Sequence, residues 1–147
     1  MTYLLDVNVL IALIDPENVH YSAAHDWFPS TARHSWATCP VVENGVIRIL
    51  GNTRYPFPWA QSSPSGVARI LHELRSVPGH VFWPDAVSLF DDTVVDLSKL
   101  LHSREVTDTY LLALAVFNGG KLATFDTHIV TDAVRGGSAA LHLIPTA

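Results

Sequence analysis

Asp6, Glu43, Asp108 and Asp126 stand among apolar neighbours, where a carboxylate is costly to bury unless something positive pairs with it. Asp6 lies between Leu5 and Val7, at the end of the apolar run from Tyr3 to Leu5. Asp126 follows Leu122, Ala123, Thr124 and Phe125. Steps of three, four and seven residues from Glu43 reach Val46, Ile47 and Leu50, and from Asp108 reach Leu111, Leu112 and Ala115. On helices both acids therefore share an apolar face and look inward. With no basic residue close by in sequence, four such carboxylates repel one another and hold their protons unless divalent cations neutralise them. Oxygen ligands suit Mg²⁺ or Mn²⁺ better than zinc. The chemistry that most often needs this cluster is phosphodiester hydrolysis, with metals about 3.5 to 4 Å apart binding the attacking water and the leaving oxygen. Each acid also has a plainer use. Asp6 and Asp108 can cap or charge helix starts, and Asp126 can be a turn residue, whereas Glu43 within an apolar face is harder to explain structurally.

The elements that must position these groups follow from periodicity. Tyr3 to Leu5 reads as a strand and Asn8 to Asp15 as a helix that Pro16 stops. A second helix falls near His20 to Phe28, a second strand at Ser35 to Cys39, and a third helix runs from Pro40 to its close at Gly51 and Asn52. Residues 53 to 64 carry three prolines and three aromatics without a period and read as a loop. Ser65 caps a helix to about Ser76, and His80 to Trp83 is a third strand. A short helix near Asp85 to Phe90 precedes the central helix of about Asp108 to Asn118, which Gly119 and Gly120 end. Lys121 to Thr124 and Leu141 to Ile144 complete the strands. Alternation of strands and helices implies a three-layer α/β/α fold with a central parallel sheet of about five strands. Ligands in such sheets bind beyond the carboxyl ends of the strands, where Asp6 and Asp126 would lie.

Length and composition point to one domain over residues 1–147, with 48% apolar residues to fill its core. The 9 Lys plus Arg against 14 Asp plus Glu leave a formal charge of −5, so a grip on nucleic acid through a broadly basic surface is excluded. Contact with RNA must be local or metal-assisted, the metal drawing phosphate to an acidic protein. Arg48, Arg54 and Arg69 are candidates for such local contacts. Cys39 stands alone, which excludes an internal disulfide and fits the cytoplasm. The apolar stretch from Tyr3 to Ile14 has no basic flank and is too short for a membrane span.

Other chemistries fit less well. His20 and His25 are five apart, not the four that would align zinc ligands on a helix. No G-x-S-x-G elbow, glycine-rich phosphate loop or D-x-D pair is present, which argues against a serine hydrolase, a nucleotide-binding loop and an aspartyl phosphatase. Asp91 and Asp92 read as a solvated turn. Tyr55, Phe57 and Trp59 suit either stacking on RNA bases or packing and dimer contact; Tyr110 reads as core.

Four segments together carry a resemblance: LLDVNVLIAL at 4–13, CPVVENGVIRIL at 39–50, VTDTYLLALA at 106–115 and LATFDTHI at 122–129. In order, spacing and acids the chain resembles the PIN-domain family, and within it the VapC toxins. The resemblance implies that Asp6, Glu43, Asp108 and Asp126 form a metal-binding acidic site, with Asp6 and Asp108 as principal ligands and Asn8 and Thr124 in support. It further implies a Mg²⁺- or Mn²⁺-dependent endoribonuclease, a homodimer, and a cognate VapB-type antitoxin. The alternative is a catalytically silent PIN module that binds RNA or a protein partner, which would require spoiled acids; all four are present.

Overall fold

A computed structural model describes residues 1–56 and 63–146. Phe57 and Trp59 lie outside the described residues. Five short strands, β1 (Tyr3–Leu5), β2 (Trp36–Thr38), β3 (His80–Phe82), β4 (Lys121–Thr124) and β5 (Leu141–Leu143), form one sheet in the order β3-β2-β1-β4-β5. All pairings are parallel; Leu4 lies opposite Ala37 on one side and Leu122 on the other. The strands are short and nearly continuous in apolar residues because helices cover both faces. Leu4, Leu5, Leu122 and Ala123 are fully buried.

The α-helices among the described residues are α1 (Val7–Ile14), α2 (Tyr21–Trp27), α3 (Pro40–Leu50), α4 (Pro64–Arg75), α5 (Val106–Phe117) and α6 (Gly137–Ala140). α1 packs against α2 and α3, and α3 against α4, while α5 packs on β1, β4 and α6, giving three layers. Val7 and Gly45 set the approach of α1 to α3. A Cβ on Gly45 would fall 2.7 Å from a Val7 methyl, so only glycine lets these helices come this close. α5 is buried on most sides, from Thr109 and Leu111 through Ala115, as the apolar run from Leu111 to Phe117 requires. It ends at Gly119, whose φ of 68° is the left-handed conformation that favours glycine.

The order of strands reverses beside β1: the chain moves from β1 to β2 on one side and returns to β4 on the other. The crevice opened at such a reversal is the usual ligand site of an open parallel sheet. Asp6 follows β1 directly and Asp126 lies two residues beyond β4, so both flank this crevice.

Three elements depart from the sequence reading. The expected helix near Asp85 to Phe90 is absent. Pro84, and a Ser88 hydroxyl that accepts from the Phe90 amide at 3.1 Å, favour turns there. α4 starts two residues early, because Ser63 rather than Ser65 caps it, accepting from the Gly66 amide at 3.1 Å with Pro64 in the first turn. α5 likewise starts at Val106, which puts Asp108 in its first turn instead of at its cap. No described helix is long and apolar enough to cross a membrane.

Candidate active site

Asp6 caps α1 and faces the crevice at once. Its Oδ1 accepts the Val7 amide at 2.8 Å, and its Oδ2 accepts the Thr124 hydroxyl at 2.8 Å. The structural reading of this residue, a helix cap, is therefore realised. Burial drives its carboxyl pKa above the ordinary value, the bonds from Thr124 and Val7 oppose the rise, and the charge of Asp126 adds to it.

Thr124, the last residue of β4 and fully buried, ties the crevice together. A hydroxyl has one hydrogen to give and two lone pairs. Here the hydrogen goes to Asp6, while the Asn8 side-chain amide at 3.1 Å and the Asp126 backbone amide at 3.1 Å donate to the oxygen. Asn8 in turn accepts the Phe125 amide at 3.2 Å through its Oδ1. Asn8 and Thr124 thus link the ends of β1 and β4 by bonds that use the full capacity of the Thr124 hydroxyl.

Asp126 turns the chain, its Oδ1 accepting the His128 amide at 2.8 Å, and its side chain is 40% exposed. Asp108 projects from the first turn of α5. Burial, then the charges of Asp6 and Asp126, push its carboxyl pKa up to about 6. Asp108 thus lies in the field of Asp6 and Asp126, and Asp6 in that of Asp126. Glu43 does not figure among the charges that raise Asp6 or Asp108. Its side chain is 16% exposed and its Oε2 accepts the Thr38 hydroxyl at 2.7 Å, with Arg75 Nε 3.2 Å from the same oxygen. The inward direction read from its apolar helical face is correct. The basic partner it does have, Arg75, is distant in sequence and comes from the end of α4.

Among the described residues no three of the His, Cys, Asp and Glu side chains stand close enough to enclose a metal ion as they are. The donors nevertheless fit a hard cation, being all oxygen, and the raised pKa values of Asp6 and Asp108 record desolvation and repulsion that a divalent charge would relieve.

Sequence reasoning overlooked Thr38, Arg75, His80 and Asp85. Thr38 ends β2 as Thr124 ends β4, and that repetition was the available signal. Tyr110 is half-buried rather than core, its hydroxyl donating to Asp85 at 2.7 Å. Tyr55 packs against the core and donates to Asp15. Arg48, Arg54 and Arg69 are exposed. Asp91 forms the expected turn, accepting from Thr93.

A sequence profile of the PIN domain matches residues 3–133. The chain belongs to the PIN-domain family. Similar proteins include ribonuclease VapC44 of Mycobacterium tuberculosis, 39% identical over 138 residues and covering 94% of this PIN domain chain and 95% of the relative. Ribonuclease VapC39 of the same organism is 41% identical over 136 residues, covering 92% and 96%. A crystal structure of VapBC2 from Rickettsia felis, bound to a DNA fragment from its promoter, contains a chain of the same fold. It superposes with a TM-score of 0.59 at 10% identity over 99% of this PIN domain chain and all of that one.

Proposed function

We propose that this PIN domain, one unit over residues 1–147, is the toxin ribonuclease of a toxin-antitoxin pair and hydrolyses RNA phosphodiester bonds with Mg²⁺ or Mn²⁺. The supporting observation is Asp108, whose burial, and then the charges of Asp6 and Asp126, push its carboxyl pKa up to about 6. Relatives named ribonucleases along almost the whole chain set the reaction class.

Asp6, Asp108 and Asp126 would hold the metal, and Glu43 would complete the acidic site. The bound cation would supply Lewis-acid charge at the phosphate and an acidified water. The residues of the chain supply placement. Thr124 and Asn8 fix Asp6 against β4 so that its carboxylate cannot turn away when charged. Asp108 must lose its proton to act as a ligand, and Glu43 is suited to orient or accept from the attacking water. A cognate VapB-type antitoxin would silence the site, and the acidic balance of −5 favours a partner segment carrying basic side chains. A homodimer in the cytoplasm is the setting we propose for this chain, as the family resemblance implies.

The test is cleavage of a structured RNA in Mg²⁺ or Mn²⁺ by the parent chain and by Asp6→Asn and Asp108→Asn. The variants should fold and lose cleavage; parent-like rates would remove these residues from the site. Direct ligation of an RNA adaptor to the cut 5′ ends should succeed, as 5′-phosphates require.

A further inference from the structure

Glu43 is held differently from the other acids. Both of its protein contacts converge on Oε2: the Thr38 hydroxyl at 2.7 Å and the Arg75 guanidinium at 3.2 Å. Oε1 has no protein hydrogen-bond partner among the described residues. The Arg75 Nε–H is not aligned on the carboxylate, so this contact supplies charge rather than a directed bond. Thr38 lies 2.7 Å from His80 Nε2 as well. Its single hydrogen is committed to Glu43, so His80 must donate to the hydroxyl oxygen from a protonated Nε2. The result is a directed chain: His80 to Thr38 to Glu43.

The supports are themselves fixed. His80 packs edgewise on Trp36 with ring centroids 4.7 Å apart, and Trp36 is fully buried. Arg75 lies over the Phe82 ring, 5.4 Å from its centroid. Thr38 is fully buried at the end of β2. Strand β3 thus contributes a residue to each support although it carries none of the four acids. At the end of β4 the same device recurs, where Thr124 donates to Asp6.

We propose that Thr38, backed by His80 and joined by Arg75, is a positioning unit that holds Glu43 through Oε2 and leaves Oε1 to face the metal or its water. This rests on the metal-dependent ribonuclease reading above. The unit adds little to stability, because with Arg75 37% exposed the Arg-Glu pair is largely screened by solvent. Its effect falls on the orientation of a ligand, where loss of a supporting partner typically costs about 10- to 100-fold in metal affinity or activity.

The experiment measures Mn²⁺ binding by titration calorimetry on the metal-free protein, and kcat and KM on an oligoribonucleotide, for the parent, Thr38→Val, Thr38→Ser, Arg75→Gln and Asp108→Asn. Thr38→Val should lose about 10- to 100-fold in Mn²⁺ affinity and in kcat with little change in KM, while Thr38→Ser, which keeps the hydroxyl, restores both. Arg75→Gln should shift both in the same direction by a smaller factor. Thr38→Val that binds Mn²⁺ and turns over like the parent, or Thr38→Ser as impaired as Thr38→Val, overturns the proposal. Should Thr38→Val fail to fold by circular dichroism, a parent-like Arg75→Gln overturns it instead. Asp108→Asn separates the two claims. If it binds Mn²⁺ and cleaves normally, the metal-site reading fails; if it is inactive while Thr38→Val is parent-like, only the positioning unit fails.

Discussion

Asp108 shows how one side chain records the purpose of its surroundings. Its carboxyl is held at a pKa of about 6, against 3.8 ordinarily, first by burial and then by Asp6 and Asp126. A carboxyl raised in the folded state contributes stability that is fully present below 3.8 and lost as pH rises through about 6. Asp6 is raised also and acts in the same sense. The metal-free protein should therefore lose melting temperature between pH 5 and pH 7.5 more steeply than Asp108→Asn, which has no charge to develop. Calorimetry at the two pH values checks this; equal slopes would deny the strain at Asp108. Conversely, if Asp108 is a metal ligand as proposed, Mn²⁺ affinity should climb as pH rises through about 6, since a ligand must shed its proton first. Cleavage by Asp108→Asn should drop by at least about 100-fold, more than the loss of a mere supporting group. A variant can thus be more stable when metal-free and yet inactive, and that pairing separates a ligand from a structural acid.

At the level of elements, the site depends on strand ends being locked to helix starts. Thr124 joins β4 to α1 through Asp6 and Asn8, and Thr38 joins β2 to α3 through Glu43. Replacing Thr124 with Val leaves the Asn8 and Asp126 amides without their acceptor. It should cost about 1 to 3 kcal/mol in urea unfolding and weaken Mn²⁺ binding. The approach of α1 to α3 at Gly45 is equally demanding. Gly45→Val places methyl groups where Val7 already lies and should destabilise by about 1 to 3 kcal/mol, read from the same unfolding curves. Because that contact sets α3 against α1, the change should also reduce cleavage at temperatures where the variant remains folded.

Charge matters at the scale of the whole molecule. A chain of net charge −5 cannot attract RNA over its entire surface, and Arg48, Arg54 and Arg69 are exposed and few. If about three phosphates are neutralised, the logarithm of RNA affinity should fall against the logarithm of salt with a slope of only about −2. Filter binding of inactive Asp108→Asn in Ca²⁺ over a salt series gives that slope; a value near −7 would reveal an extended basic groove made by assembly. Light scattering on the isolated protein tests whether a dimer forms to supply it.

Much of this was legible in the amino-acid order itself. Five strands, the central α5 and the four acids follow from local periodicity and from charges set among apolar neighbours, because burial patterns repeat every two or 3.6 residues wherever an element meets a core. The failures also have local causes: Pro84 and Ser88 substitute turns for a helix at Asp85 to Phe90, and Ser63 outcompetes Ser65 for a cap. Only the tertiary structure decided which groups share a space. It brought Asp108 within the field of Asp6 and Asp126, turned Glu43 toward Arg75 and Thr38, and made Thr124 the common partner of Asp6 and Asn8. Periodicity fixes the direction in which a side chain leaves its own element. Which side chains then meet is selected by how the helices pack across the sheet, and no local pattern contains that information.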